Sequence, residues 1–113
     1  MIRPMRTTDC TDMYNIALRS LDEIFLPEVF YGFYNQWQNG QIISCDFLGK
    51  PIGFICCTRL YDGGCRVMLF AMDPTYQGKG KGRELLEALI RHPMLTGIAG
   101  KPDPKTAAGF GDV

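Results

Sequence analysis

Apolar residues recur every three or four positions in the first third of this chain, which is the spacing of an amphipathic helix. The spacing predicts a first helix over about 9–23 and a second helix that opens at Pro27 and ends at Gly40. Proline is favoured at the first position of a helix, and glycine just beyond its end. The predicted apolar stripe of the second helix consists of Val29, Phe30, Phe33, Tyr34 and Trp37.

The middle of the chain changes to short apolar runs separated by turn residues, and these runs predict β-strands. The run 52–60 is apolar at odd and even positions alike, so we expect it in the centre of a sheet. Pro4 lacks a backbone N–H and therefore predicts an edge strand. Asp62-Gly63-Gly64 predicts a hairpin, and the last three strands are expected to form an antiparallel meander. The predicted strands cover residues 2–6, 41–48, 52–60 and 65–72.

A third helix is predicted before residue 92, and this completes an α/β (α+β) fold in the order β-α-α-β-β-β-α. Its predicted buried face consists of Leu85, Leu86, Leu89 and Ile90. Residues 1–92 are expected to form one domain. Residues 93–113 hold three prolines and four glycines, so they predict an irregular or disordered tail.

The composition fits a soluble globular domain, because 46% of the residues are apolar and 21% are charged. Twelve basic and twelve acidic residues cancel, so charge gives no reason to expect a nucleic acid or a membrane as partner. No signal peptide and no membrane-spanning run is visible, which predicts a cytoplasmic location.

The five cysteines contain no C-x-x-C pair, and His92 is the only histidine. This combination argues against a zinc site, and we expect no metal. Cys45, Cys56 and Cys57 lie in strand-like apolar surroundings. They are predicted to be small buried apolar residues in a reducing compartment.

The segment 77–82, with the sequence QGKGKG, joins the last predicted strand to the third helix. We call it the glycine loop. The first N–H groups of a helix lack intrahelical acceptors, and the helix dipole adds positive potential there. Glycines let an anion approach the backbone closely, and two lysines add charge. The glycine loop therefore predicts a binding site for a phosphorylated cofactor.

The spacing of the glycine loop departs from two common phosphate-binding loops. A Walker A loop needs Ser or Thr after Gly-Lys, and a dinucleotide fingerprint needs G-x-G-x-x-G after a first strand. The pattern Q-x-x-G-x-G, filled by Gln77, Gly80 and Gly82, resembles the coenzyme A loop of the GCN5-related N-acetyltransferases, the GNAT superfamily. The motif likeness spans residues 67–90, and the likeness in element order spans residues 2–92.

The resemblance implies a GNAT-like acyl-CoA N-acyltransferase fold that binds acetyl-CoA. It implies an N-acetyltransferase that moves the acetyl group to a primary amine by direct attack. Backbone N–H groups of the loop would hold the pyrophosphate, and backbone groups of the preceding strand would pair with the pantetheine and polarise the acetyl carbonyl. The coenzyme-binding residues so implied are Phe70, Ala71, Met72, Gln77, Gly78, Lys79, Gly80, Lys81, Gly82 and Arg83.

The acceptor and the catalytic residues stay open. The implied acceptor is an amine of a protein or a small molecule, and the N-terminal half resembles the branch that acetylates protein N-termini, including ribosomal proteins. The strand 65–72 carries no carboxylate, so no catalytic residue is assigned. The acidic candidates near the junction of the first two helices are Asp22, Glu23 and Glu28.

Residues 93–113 depart from the family pattern, which continues with a strand and with a helix that commonly carries a tyrosine acting as general acid. They contain no tyrosine and no strand-like run. A truncated or frameshifted acetyltransferase and a natural short variant both explain this. In either case the strand 65–72 is expected to expose an edge that pairs with a second copy. The alternative function is a non-catalytic coenzyme A-binding module or an inactive fragment.

Overall fold

The computed structural model describes residues 1–61 and 64–91, and its elements follow the predicted order. Asp62 and Gly63 of the predicted hairpin, His92 and the predicted tail 93–113 lie outside the described residues. The strands and helices are β1 (Ile2–Pro4), α1 (Cys10–Ser20), α2 (Pro27–Gln36), β2 (Gln41–Cys45), β3 (Pro51–Arg59), β4 (Cys65–Met72) and α3 (Lys81–Arg91).

The four described strands form one antiparallel sheet in the order β1-β2-β3-β4. β3 lies between β2 and β4, and its first seven residues are buried, as its apolar sequence predicted. Pro4 lies opposite Ile42 on the edge strand β1, where a missing N–H is tolerated. β4 is the outer strand on the other side of the described sheet, and pairing of this edge with a second copy stays a prediction.

The sheet separates two apolar cores. On one face, α1 and α2 pack against the strands, and Phe30 meets Phe54 edge-on with ring centroids 5.4 Å apart. On the other face, Leu85 and Leu89 of α3 pack against the strands. β4 contributes side chains to both cores, which fixes the strand from two sides.

The predicted extent of the second strand was wrong at its end. β2 stops at Cys45, and Phe47 and Leu48 are 92% and 78% exposed in the turn that follows. Asp46 builds this turn, because its carboxylate accepts hydrogen bonds from the N–H groups of Leu48 and Lys50, both at 2.9 Å. A side chain that satisfies nearby N–H groups competes with strand pairing.

Two predicted core positions on helices are exposed. Val29 of α2 and Ile90 of α3 are 38% and 48% exposed. Only Phe30 of the predicted stripe on α2 is fully buried. Ala88 takes the buried position on α3 that was assigned to Ile90. Each helix rests on the sheet along a narrow line, so apolar residues at the margin of the stripe stay in solvent.

Four of the five cysteines are buried in strands, which confirms the predicted burial of Cys45, Cys56 and Cys57 and adds Cys65. The hydrogen bond with Cys65 and burial raise the pKa of Cys57, and burial raises the pKa of Cys56. These thiols therefore stay protonated near neutral pH. In the described part of the chain, no cluster of His, Cys, Asp or Glu side chains could hold a metal, and no helix is long and apolar enough to cross a membrane.

The side chain of Gln41, at the start of β2, is fully buried although it is an amide. Its Nε2 donates to the carbonyl oxygens of Trp37 at 2.9 Å and Cys57 at 2.8 Å, and its Oε1 accepts from the Cys57 N–H at 2.8 Å. The β2–β3 register ends with Gln41 opposite Cys56, so Cys57 lies one residue beyond its partner strand. One amide thus replaces the missing strand pairing and ties β3 to the end of α2.

Replacing Gln41 with leucine should therefore lower the free energy of unfolding by about 2–6 kcal/mol, since two buried backbone groups of Cys57 lose their partner at about 1–3 kcal/mol each. Urea unfolding monitored by circular dichroism measures the loss. The matched control is Gln38→Leu, because Gln38 is exposed three residues earlier. An equal loss in both variants would show that the amide network is not what stabilises this end of the sheet.

Asp9, just before α1, is buried and holds the edge strand to the helix. The Arg3 guanidinium donates to both carboxylate oxygens at 2.8 Å, and the Arg6 N–H donates at 2.7 Å. Burial by itself raises the pKa of Asp9, but the hydrogen bonds from Arg3 and Arg6 outweigh it and hold the pKa below the ordinary 3.8. The carboxylate is therefore bound in its charged form.

Because the folded-state pKa of Asp9 is depressed, its contribution to stability is complete above pH 3.8 and is lost as the pH falls through the folded-state value. Asp9→Asn should lower the melting temperature at neutral pH and flatten its decline between about pH 5 and pH 2. Melting curves across this pH range check the change. Glu87→Gln, at an exposed position on α3, should leave the slope as it is in the wild type.

Candidate functional site

The approach to the glycine loop is fixed by two side chains at the end of β4. The Asp73 carboxylate accepts a hydrogen bond from the Thr75 N–H at 3.1 Å and so caps the short 3₁₀ turn Pro74–Tyr76. The Gln77 side chain donates through Nε2 to the Met72 carbonyl oxygen at 3.1 Å. Gln77, predicted as a coenzyme contact, thus holds the loop to the strand.

Two glycines of the loop have a left-handed backbone. Gly78 has a φ of +76° and Gly80 a φ of +81°, which L side chains rarely adopt. A Cβ atom on either residue would meet nothing within 4 Å, so the loop presents its backbone to open space. This open face leaves room for a bulky anion close to the backbone.

α3 begins directly at the glycine loop. The Glu84 N–H donates to the Gly80 carbonyl oxygen at 3.0 Å, which makes Gly80 the residue that accepts the first helical hydrogen bond. The N–H groups of Lys81, Gly82 and Arg83 therefore lie in the first turn, where an α-helix offers them no acceptor. Gly82 is buried, while Arg83 is exposed. Backbone donors and the positive end of the helix dipole meet at this point.

Both lysines of the loop have partners within the protein. Lys79 Nζ lies 5.9 Å from the ring centroid of Tyr76, and Lys81 Nζ lies 3.6 Å from Glu84 Oε2. Both side chains remain accessible, and exposed contacts of this kind contribute little to stability. The lysines are therefore available to an anion at small cost.

The register of β4 decides which backbone groups face away from the sheet. The Asp73 N–H donates to the Ile52 carbonyl oxygen at 2.7 Å, so alternate residues of β4 direct their N–H and C=O groups toward β3. Ala71 is one of these residues. Phe70 and Met72 direct theirs away from β3, along the outer side of β4. Of the three strand residues implied as coenzyme contacts, two have backbone groups on that side.

A β-bulge at Met68 was missed by the sequence analysis. Leu69 lies opposite Cys56 and Val67 lies opposite Cys57, so Met68 is an extra residue without a partner on β3. A bulge of this kind bends the strand and redirects its backbone groups. No glycine marks the site. The available signal was the spacing of the inward residues Val67 and Phe70, which is odd where an unbroken strand needs an even step.

A pocket of about 220 Å³ lies between the α1–α2 connection and the middle of β4. Leu69 lines it from β4, next to the bulge. Asp22 and Glu23, two of the three acidic candidates, line it, whereas Glu28 lies in the first turn of α2 and does not. The residues of this pocket, called the junction pocket below, are Leu21, Asp22, Glu23, Phe25 and Leu69.

Comparison with family sequence models assigns residues 10–100 to the Acetyltransferase (GNAT) family. This interval includes α1, the junction pocket, β4 and the glycine loop. The chain belongs to the GNAT family. The resemblance first noted in the glycine loop is thereby confirmed, and a search of curated protein sequences gave no significant match.

Solved structures of GNAT proteins share the fold. Ard1 from Thermoplasma volcanium is 26% identical, with a TM-score of 0.74 over 79% of this chain and 60% of that chain. The ribosomal-protein-S18-alanine N-acetyltransferase from Escherichia coli is 27% identical, with a TM-score of 0.69 over 79% of this chain and 56% of that chain. Rv2747 from Mycobacterium tuberculosis, solved with CoA and NLQ, is 20% identical, with a TM-score of 0.65 over 79% and 54%. The chain spans little more than half the length of these proteins.

Gly80, one of the two left-handed glycines of the loop, gives a direct test of the site. Gly80→Ala should cost about 1–2 kcal/mol of stability, because L residues are disfavoured at its φ, and should weaken binding of coenzyme A. Gly32→Ala is the matched control, since Gly32 lies in α2 with equally open surroundings. That change should stabilise the chain by about 0.5–1 kcal/mol. Wild-type coenzyme affinity in Gly80→Ala would place the phosphate cradle elsewhere.

Proposed function

We propose that this GNAT chain binds acetyl-CoA and transfers the acetyl group to a primary amine. The observation that carries the proposal is the glycine loop: two left-handed glycines, the first turn of α3 and the end of β4 meet at one open face. The donors there are backbone N–H groups, which suit a pyrophosphate. No covalent change of the protein is required, because the bound coenzyme supplies an activated thioester.

In this proposal, N–H groups from Gly78 to Arg83 hold the pyrophosphate. Lys79 and Lys81 exchange their weak contacts with Tyr76 and Glu84 for phosphate oxygens, which gives charge-assisted bonds. The pantetheine arm lies along the outer side of β4, where the Met72 carbonyl oxygen already accepts a hydrogen bond from Gln77. The rest of that arm would then run along the strand toward the bulge.

The bulge sets the place of the reaction in this proposal. Met68 is released from pairing with β3, so a backbone N–H here can point at the carbonyl oxygen of the acyl group. A fixed donor aimed at developing negative charge is the main way in which a protein accelerates acyl transfer. Leu69, the neighbouring residue, lines the junction pocket, so an amine in that pocket would reach the same point.

The junction pocket suits an amine on an organic chain. Leu21, Phe25 and Leu69 provide apolar walls, and the carboxylates of Asp22 and Glu23 attract an ammonium group. A protein N-terminus is the acceptor that we favour, since the Escherichia coli relative at 27% identity is named as a ribosomal-protein-alanine N-acetyltransferase. Lysine and small amines fit the same chemistry.

Thermal unfolding with ligands tests the cofactor. Acetyl-CoA and desulfo-CoA should both raise the melting temperature, by an amount set by the ratio of concentration to Kd, because the anchor is the pyrophosphate. ATP at the same concentration should raise it much less, since it lacks the pantetheine arm that would lie along β4. Equal shifts with ATP would refute the coenzyme A assignment.

The alternative function, a non-catalytic coenzyme A-binding module, is favoured by one observation: β4 carries no carboxylate that could act as a general base. Release of free coenzyme A from acetyl-CoA, measured with an alanine-initiated peptide and with a panel of small amines, separates the two functions. Binding without amine-dependent release would establish the module and exclude the transferase.

A further inference from the structure

We propose that the ion pair between Arg19 and Asp73 is a positioning device that sets the glycine loop against the junction pocket. The inference rests on the proposed function and names two residues to which the family pattern of the loop gave no role. The two are 54 positions apart in sequence, and Arg19 Nη2 donates directly to Asp73 Oδ2.

Asp73 is the residue through which β4 passes into the loop. Its N–H donates to the carbonyl oxygen of Ile52 on β3 at 2.7 Å, and its own carbonyl oxygen accepts from the Tyr76 N–H at 2.8 Å. One carboxylate oxygen caps the turn through the Thr75 N–H, and the other receives Arg19. A displacement of this carboxylate would therefore move the whole turn that leads to Gly78.

Arg19 is in the last turn of α1, directly before the junction pocket. The Leu21 N–H closes the helix on the Ala17 carbonyl oxygen at 2.9 Å, and Leu21 then becomes the first wall of the pocket. The Arg19 guanidinium thus extends from the rigid end of α1, at the point where the pocket begins. Through it, the pocket wall and the loop are connected by charged groups rather than by the sheet alone.

The charges of the pair indicate positioning more than stability. The Arg19 side chain is 49% exposed, and exposed ion pairs stabilise proteins little. A lone carboxylate at Asp73 would oppose an anion in the adjacent loop, and Arg19 neutralises it while holding it in place. With Arg19 in place, the Asp73 carboxylate still caps the turn, and its repulsion of an anion in the loop is neutralised.

The decisive test is Asp73→Asn, because charge and position make opposite predictions. An asparagine Oδ1 still accepts the Thr75 N–H, but the ion pair to Arg19 is lost. If charge alone mattered, removal of a carboxylate beside the loop would tighten coenzyme A binding. If position matters, the Kd for coenzyme A by calorimetry rises, by roughly three- to tenfold.

Arg19→Gln should raise the Kd in the same range, and the double variant should be no worse than the weaker-binding single variant, as expected for one shared contact. Arg19→Lys should restore most of the affinity. Arg91→Gln is the matched control, because Arg91 also occupies the last turn of a helix but has no part in this contact. It should bind coenzyme A as the wild type does.

Hydrogen exchange measures the coupling between the glycine loop and the junction pocket directly. Coenzyme A should slow amide exchange in residues 21–25 of the wild type and leave it unchanged in Arg19→Gln. Equal protection in both, or tighter binding by Asp73→Asn, would overturn the inference while leaving the proposed function intact. A wild-type chain that fails to bind coenzyme A would overturn both.

Discussion

The buried side-chain amide of Gln41 lies at the place where two irregularities of the sheet coincide. β2 has no residue to pair with Cys57, and β4 bulges opposite the step from Cys56 to Cys57. Without the amide, the N–H and C=O groups of Cys57 that face β2 would be buried without hydrogen bonds. The amide supplies both hydrogen bonds and also binds the Trp37 carbonyl oxygen, so it joins β3 to the end of α2. β3 in turn pairs along its length with β4, so the amide stabilises the strand next to the proposed site.

The order of elements and the glycine loop could be predicted from the sequence, because both depend on local signals. Each of these signals acts over a few neighbouring positions: the spacing of apolar residues, the proline at the start of α2 and the glycines of the loop. The second strand was predicted to run to Leu48 because Phe47 and Leu48 are apolar. The hydrogen bonds of the Asp46 carboxylate instead turn the backbone at this point. Local polar chemistry overrode hydrophobicity there.

The features that were not predicted are tertiary. Gln41 reads as an ordinary polar residue at the start of a strand, and only the fold brings it to Cys57, 16 positions away. Arg19 and Asp73 read as surface charges until α1 packs against the sheet. The bulge at Met68 follows from the demand that Val67 and Phe70 face the same core, and this demand is known only once α3 is in place. Polar pairing across the fold therefore carried no sequence signal of its own, and the spacing of Val67 and Phe70 indicates a bulge only when their shared core is known.

The distribution of the cysteines has a practical consequence. Four thiols are buried within the strands and Cys10 alone is half-buried at the start of α1. Alkylating reagents can reach the strand thiols only when the sheet opens, whereas Cys10 is partly accessible in the native state. The rate at which the strand thiols are modified therefore measures the opening of the sheet, and mass spectrometry records it as the stepwise addition of labels. No introduced probe is needed, and the same rate shows whether a bound ligand or a partner keeps the sheet closed.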